Sequence, residues 1–261
     1  MKRIPIQSDL SAFPECFHPL LTGSAVYDSS CSPEARVYYL DREGGMYLKS
    51  APAGSLKTEG EMTAFFHSKG LSAEVLSYVS DTRDWLLTRR IPGEDCIHPQ
   101  YLEDPVRLCD TTATLLRQLH EVDPTGCPVT DSNQRRIGAA RKGYARGYWE
   151  NDLFAGVWDF SSREECWQAA EEAFPCLKPE VLLHGDYCLP NILLDNWAFS
   201  GFIDVGGGGL GDRHIDLLWG TWTLMFNLKT NRYSDRFLDA YGRDAVNPEL
   251  LRGIAAIETF G

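Results

Sequence analysis

Apolar and polar positions alternate with period two through the first ninety residues. In the run from Gly44 to Lys49, Met46 and Leu48 fall on one face and Tyr47 and Lys49 on the other. Similar short runs at 24–27, 36–40, 75–79 and 85–89 predict further strands. One helical stretch interrupts them over 55–68, with Met62, Phe65 and Phe66 as its packing face. Pro92-Gly93 punctuates the end of this region. Beyond it the period lengthens. Leu102, Val106, Cys109, Ala113, Leu116 and His120 step by three or four, which predicts a helix over 101–120 that Asp123-Pro124-Thr125-Gly126 breaks. Residues 134–180 alternate helical stretches with aromatic-rich turns. Ile215, Leu218, Trp219, Trp222 and Phe226 then trace one helical face, and two shorter helices around Phe237 and Leu250 close the chain. The expected fold class is α+β: a small antiparallel sheet lobe with one helix at 1–93, and a larger, mainly helical lobe at 94–261.

The chemistry concentrates in HGDYCLPNI, His184 to Ile192, and in Asp204. Each polar residue sits at the end of a short apolar run: Val181-Leu182-Leu183 before Asp186, Ile192-Leu193-Leu194 after Asn191, Phe202-Ile203 before Asp204. Asp and Asn also serve as ordinary turn residues, so the triplet alone says little. Its spacing nevertheless suits transfer of a γ-phosphoryl group, where catalysis consists of aligning the nucleophile and neutralising phosphate charge. Asp186 fits the carboxylate that accepts the acceptor hydroxyl's proton, and Asn191 and Asp204 fit hard oxygen ligands for Mg²⁺. Upstream, Tyr47 and Lys49 stand about 7 Å apart on one strand face. A base stacked on Tyr47 would leave its phosphates within reach of Lys49. Glu59 is the candidate partner for Lys49. Glu61 competes, but it lies about 200° around the helix from Glu59, so only one of the two faces the strand.

The order Lys49, Glu59, HGDYCLPN, Ile203-Asp204 resembles the aminoglycoside phosphotransferase family, a branch with a two-lobed protein-kinase-like fold, and within it the 3′-phosphotransferases. Further matches are Ser32-Pro33-Glu34-Ala35-Arg36-Val37-Tyr38, Cys127-Pro128-Val129-Thr130, Ser200-Gly201-Phe202-Ile203-Asp204, Asp212-Arg213-His214-Ile215-Asp216-Leu217 and Glu258-Thr259-Phe260. The resemblance implies that Asp186 is the catalytic base, that Asn191 and Asp204 bind Mg²⁺, and that Lys49, held by Glu59, contacts the phosphates of ATP, with GTP left open. It implies Tyr47 against adenine, Arg89 to Ile91 as the hinge that reads the base edge, and Ser32 in the loop over the phosphates. Asp159, Asp131 and Glu258 would meet a cationic small-molecule acceptor such as an aminoglycoside. HGD in place of HRD, and a 29–36 loop without glycine, argue against a protein kinase.

On the acceptor side the chain departs from the family. Asp204 is followed by Val205 and four glycines where a Leu-Gly-Arg-like sequence is usual, Trp222 and Phe226 stand where an Arg and an acidic residue are common, and the tail reads Glu258-Thr259-Phe260-Gly261. Other acceptors handled by relatives, such as choline, homoserine or a macrolide, are the alternative, as is a catalytically inactive pseudokinase.

Charge sharpens this picture. Residues 1–93 hold 10 Lys+Arg against 11 Asp+Glu, and 94–261 hold 15 against 26, so nearly all of the net −12 belongs to the second half. Such a surface attracts a polycation and opposes nucleic-acid binding. The first twenty residues lack the apolar core of a secretion signal, and the apolar stretch at 217–226 is too short for a membrane span, so a cytoplasmic protein with no membrane or obligate protein partner is expected. The eight cysteines show no CxxC pair and read as free thiols, Cys188 among them as a loop residue. Gly206, Gly208 and Gly211 formally satisfy GxGxxG, but the 211–261 segment reads as helices, leaving no strands for a dinucleotide-binding sheet.

Overall fold

The alternating first ninety residues form a six-stranded antiparallel sheet in a computed structural model that describes residues 3–7, 9–31 and 35–261. The strands are β1 (Ile4–Ile6), β2 (Ala25–Asp28), β3 (Arg36–Asp41), β4 (Met46–Pro52), β5 (Val75–Ser80) and β6 (Arg83–Arg89), in the order β1-β2-β3-β4-β6-β5. The chain divides into two units, residues 1–95 with 193–206 and residues 96–192 with 207–261.

In the first unit, Met46 and Leu48 are buried with Val26, Leu40, Trp85 and Leu87 beneath Phe13, Phe17 and Leu21. These last three come from a 3-10 turn capped by Asp9, a second such turn, and the short helix α1 (His18–Leu21), none of which shows a strand or long-helix pattern in sequence. The opposite sheet face carries Tyr47 and Lys49, both half-buried, as period two requires. Helix α2 (Lys57–Ser68) buries Met62 and Phe66. Its start is fixed by Asp84, whose buried carboxylate accepts the Leu56 N–H at 2.8 Å and the Ser80 hydroxyl at 2.6 Å.

A hairpin of Ile192–Asp195 and Ala198–Phe202 completes this unit. Asn196 and Trp197 both have positive φ, 49° and 71°, the signature of a two-residue type I′ turn. Glu94–Asp95 pairs with its first strand, the Phe202 N–H donates to the Leu71 carbonyl, and the Ser72 hydroxyl donates to the Phe202 carbonyl. Residues 193–206 therefore group with the sheet, and the expected division at 93/94 becomes 95/96 with this excursion added.

In the second unit, the expected helix over 101–120 is two helices, α3 (Pro99–Leu102) and α4 (Pro105–His120). Pro105 lacks an N–H and disfavours helical backbone at the residue before it, so Asp104 becomes an N-cap, accepting the Arg107 N–H. Helices α5 (Ser132–Ala145), α6 (Arg163–Ala173), α7 (His214–Leu228), α8 (Ser234–Tyr241) and α9 (Pro248–Glu258) follow. Helix α4 packs against α8, and α6 against α9. Val181–Leu183 pairs antiparallel with Gly209–Gly211, so the glycine run enters a strand instead of opening a helix, which removes the dinucleotide-fold alternative. Among the described residues no helix is long and apolar enough to cross a membrane.

Candidate active site

Strand β4, helix α2 and the segment after the hairpin bring three charged side chains together in the first unit. Lys49 Nζ lies 2.8 and 2.9 Å from the two oxygens of Glu59 and 2.7 Å from Asp204 Oδ1. Glu61 instead neighbours Lys57 one helical turn away, at 3.9 Å. Lys49 and Glu59 are 21% and 15% exposed, and Asp204 is 49% exposed. Burial opposes the Lys49 charge, but Asp204 and Glu59 outweigh it and raise the ammonium above its ordinary range. Two carboxylates share that one cation. Burial, with the Asp204 charge adding to it, accordingly lifts Glu59 above the usual carboxylate range despite its contact with Lys49. Asp204 sits in the left-handed region at φ 55°, which a non-glycine residue occupies only when its surroundings enforce it.

Around this trio the other nucleotide-side candidates divide. The Tyr47 ring packs against Tyr39 at 5.2 Å between centroids, and its hydroxyl accepts from Arg3, whose guanidinium lies 3.7 Å over Tyr39. Arg89 spends its side chain on Glu74, at 2.9 Å. Ile91 is buried with Ala73 and Leu193, so only its backbone remains for a ligand. Ser32 lies outside the described residues.

In the second unit, Asp186 and Asn191 share a turn. Asn191 Nδ2 donates to Asp186 Oδ2 at 2.9 Å and to the Asp186 carbonyl at 3.0 Å, which leaves Asn191 Oδ1 as the free acceptor end of the amide. Gly185 has φ 86°, and a side chain there would collide with the Gly207 carbonyl, so glycine is required before Asp186. The turn hangs from Asp216 in the first turn of α7. Its carboxylate accepts the N–H groups of His184 at 2.7 Å and Gly185 at 2.8 Å. Burial opposes ionisation of Asp216, but the bond from His120, the nearby histidines and the Gly185 N–H hold its pKa below the usual range. Burial pulls the His120 pKa below the ordinary histidine value, against the pull of Asp216. Its Nε2 faces Asp216 at 3.3 Å and Nδ1 faces the Tyr241 hydroxyl at 2.7 Å, a geometry that places the proton on Nε2. Burial and the adjacent Asp186 charge push the Cys188 thiol well up, which disqualifies it as a nucleophile.

The acidic acceptor candidates differ in availability. Asp159 is exposed and accepts the Gly156 N–H at 3.0 Å; Asp131 is exposed and pairs with Arg135 one helical turn on, at 2.7 Å. Glu258, only 10% exposed, is enclosed by Arg136 at 2.6 Å and the Trp219 indole N–H at 3.2 Å. Trp222 stacks on Phe226 at 5.0 Å and 18°, with its indole N–H on the Leu153 carbonyl.

Among the described residues no group of three or more His, Cys, Asp or Glu is arranged to hold a metal. In the second unit Asn191 Oδ1 is an amide oxygen left over by the bonds to Asp186, and in the first the Asp204 carboxylate is half-exposed; each by itself is a hard oxygen donor of the kind Mg²⁺ takes. Sequence reasoning missed Asp216, His120 and Arg136 as supports of the turn. Only Asp216 carried a signal, as part of the Asp212 to Leu217 match.

A lysine pinned by a glutamate on a small antiparallel sheet, and an Asp/Asn turn suspended from a buried aspartate, define a kinase-type phosphotransferase. The model of the phosphotransferase enzyme family matches residues 33–254, and the chain belongs to that family. It is 44% identical over 257 residues to a probable aminoglycoside 3′-phosphotransferase of Lactococcus lactis, covering 98% of both chains. Among solved structures it is similar to the aminoglycoside 3′-phosphotransferase of type VIII, with TM-score 0.75, 26% identity and 96% of each chain covered. It shares the fold of a Streptomyces rimosus aminoglycoside phosphotransferase solved with ADP and streptomycin, with TM-score 0.73, 22% identity, and 97% and 99% of the two chains covered. The protein is thus a phosphotransferase with an alcohol group as acceptor.

Proposed function

We propose that this phosphotransferase moves the γ-phosphoryl group of ATP to a hydroxyl of an aminoglycoside antibiotic, the 3′-hydroxyl, and so confers resistance. The observation that carries the reading is the Asp186/Asn191 pair: the amide fixes one carboxylate oxygen and leaves the other to take a hydroxyl proton. Lys49, held by Glu59, neutralises phosphate oxygens, and Tyr47 offers its ring to the base. Asn191 and Asp204 would hold Mg²⁺, which when bound draws negative charge from the phosphates. The backbone at Arg89 to Ile91 reads the base edge, Ser32 covers the phosphates, and GTP is the nucleotide to compare with ATP. The first unit, 1–95 with 193–206, serves the nucleotide. The second serves the acceptor, Asp159 and Asp131 facing its ammonium groups. The reaction belongs in the cytoplasm, where ATP is available.

The test is radiolabelled phosphate transfer from ATP to kanamycin- and neomycin-type compounds, with susceptibility measured in bacteria expressing the chain. Transfer and raised resistance are expected. Absence of both would move the assignment to the second reading, a less cationic hydroxylated acceptor, which the enclosed Glu258 and the Trp222–Phe226 stack favour.

A further inference from the structure

The peptide joining Gly185 to Asp186 is gripped by an arginine to which the phosphoryl-transfer roles assign nothing. Arg136, in the first half of α5, donates from Nη2 to the Gly185 carbonyl and from Nη1 to Glu258 Oε1 at 2.6 Å. The second Glu258 oxygen accepts the Trp219 indole N–H. Arg136 is 17% exposed and Glu258 10% exposed, so this is an inner bridge between α5, the turn at 185, and the last turn of α9.

The consequence lies in what the bridge holds. The Gly185 carbonyl and the Asp186 N–H belong to one planar peptide, so fixing the oxygen fixes the plane from which the Asp186 side chain departs. The preceding peptide is held from α7, where Gly185 donates to Asp216. The Asp186 N–H itself faces His184 Nδ1 at 3.3 Å. A glycine at φ 86° has no side chain to hold its conformation, and the two clamps supply that constraint. Arginine suits the task because its planar fork serves two acceptors at once, which a lysine ammonium does less well.

We propose that Arg136 is the positioning residue for Asp186, and, resting on the phosphotransferase reading above, that Glu258 acts through Arg136 and not by gripping an acceptor amine. The single charge of Glu258 is matched by the guanidinium, and both its oxygens are occupied. Charge recognition of the acceptor then falls to the exposed Asp159 and Asp131.

Arg136→Ala, Arg136→Lys and Glu258→Gln, each normalised to folded enzyme, separate the possibilities. Arg136→Ala is expected to lower kcat about 10- to 100-fold through misplacement of the base, with the KM for ATP changed by less than about twofold. Arg136→Lys should recover part of that loss. Glu258→Gln should lower kcat and leave the acceptor KM within about twofold, whereas an amine-gripping Glu258 would raise the acceptor KM at constant kcat. Hydrogen exchange read by mass spectrometry supplies a measure that needs no acceptor. Amides 184–187 should exchange faster in Arg136→Ala and Glu258→Gln, with α4 unchanged. Unaltered exchange at 184–187, or a Glu258→Gln effect confined to acceptor KM, overturns the proposal. If the wild-type protein phosphorylates no aminoglycoside, the functional reading fails by itself and the exchange data decide the role of Arg136.

Discussion

Asp216 Oδ1 accepts the backbone N–H of Gly185 at 2.8 Å, and through that bond a buried carboxylate on α7 sets the conformation of the turn that carries Asp186. The same carboxylate takes the His184 N–H, so one side chain accepts from two successive amides. Asp216→Ala removes the shared acceptor of both N–H groups and is expected to cost about 3 to 5 kcal/mol. Denaturant unfolding checks this, and a loss below about 1 kcal/mol would mean that the turn is held without Asp216.

Asp186 and Asp204 are expected to fail differently. Asp186→Ala should lower kcat by orders of magnitude and leave ATP affinity nearly intact, because the role proposed for it is on the acceptor side. Asp204→Ala should impair use of Mg²⁺·ATP. Titrating Mg²⁺ and ATP against both variants distinguishes them, and equal small losses would contradict the assigned roles.

Glu59 and Glu61 provide an internal control. Glu59→Gln removes the charge that holds Lys49 and should raise the KM for ATP about tenfold. Glu61→Gln weakens an exposed contact to Lys57 and should leave kinetics unchanged.

The response to acid follows from two buried groups whose folded pKa values lie below their unfolded ones. Such groups contribute stability above the unfolded pKa and lose it as pH falls through the folded value. His120, whose pKa burial pulls below the ordinary 6.5, should make the urea midpoint fall as the pH drops below that ordinary value, and His120→Gln should flatten that region. Burial also opposes the charge on Asp84, but bonds from Ser80 and from the Gly54 and Leu56 N–H groups prevail and hold its carboxyl at about 2, against an ordinary 3.8. Its contribution is complete above pH 3.8 and is lost between there and about 2. Asp84→Asn should remove that last step.

Asp159→Asn and Asp131→Asn, singly and together, should raise the KM for a polyamine acceptor with the KM for ATP unchanged. The effect should shrink as salt is added, since both carboxylates are exposed. Initial rates at two ionic strengths give the answer, and salt-independent losses would point away from charge recognition.

The sheet could be read in advance because its period is local: Met46 and Leu48 must lie opposite Tyr47 and Lys49 whatever the rest of the chain does. That only one of Glu59 and Glu61 can meet Lys49 was legible for the same reason, the angle per helical residue being fixed, while the choice of Glu59 came from the family resemblance. The break at Asp104-Pro105 was written in the chain too, in a proline that the apolar stepping of 101–120 obscured. The supports of the turn at Asp186 were not legible. Asp216, His120 and Arg136 lie 31, 65 and 49 positions from Gly185, and no local period links them. Which buried carboxylate meets which amide is settled only when α4, α5 and α7 pack, because an amide or a charge removed from water must take whichever partner the packing brings within reach.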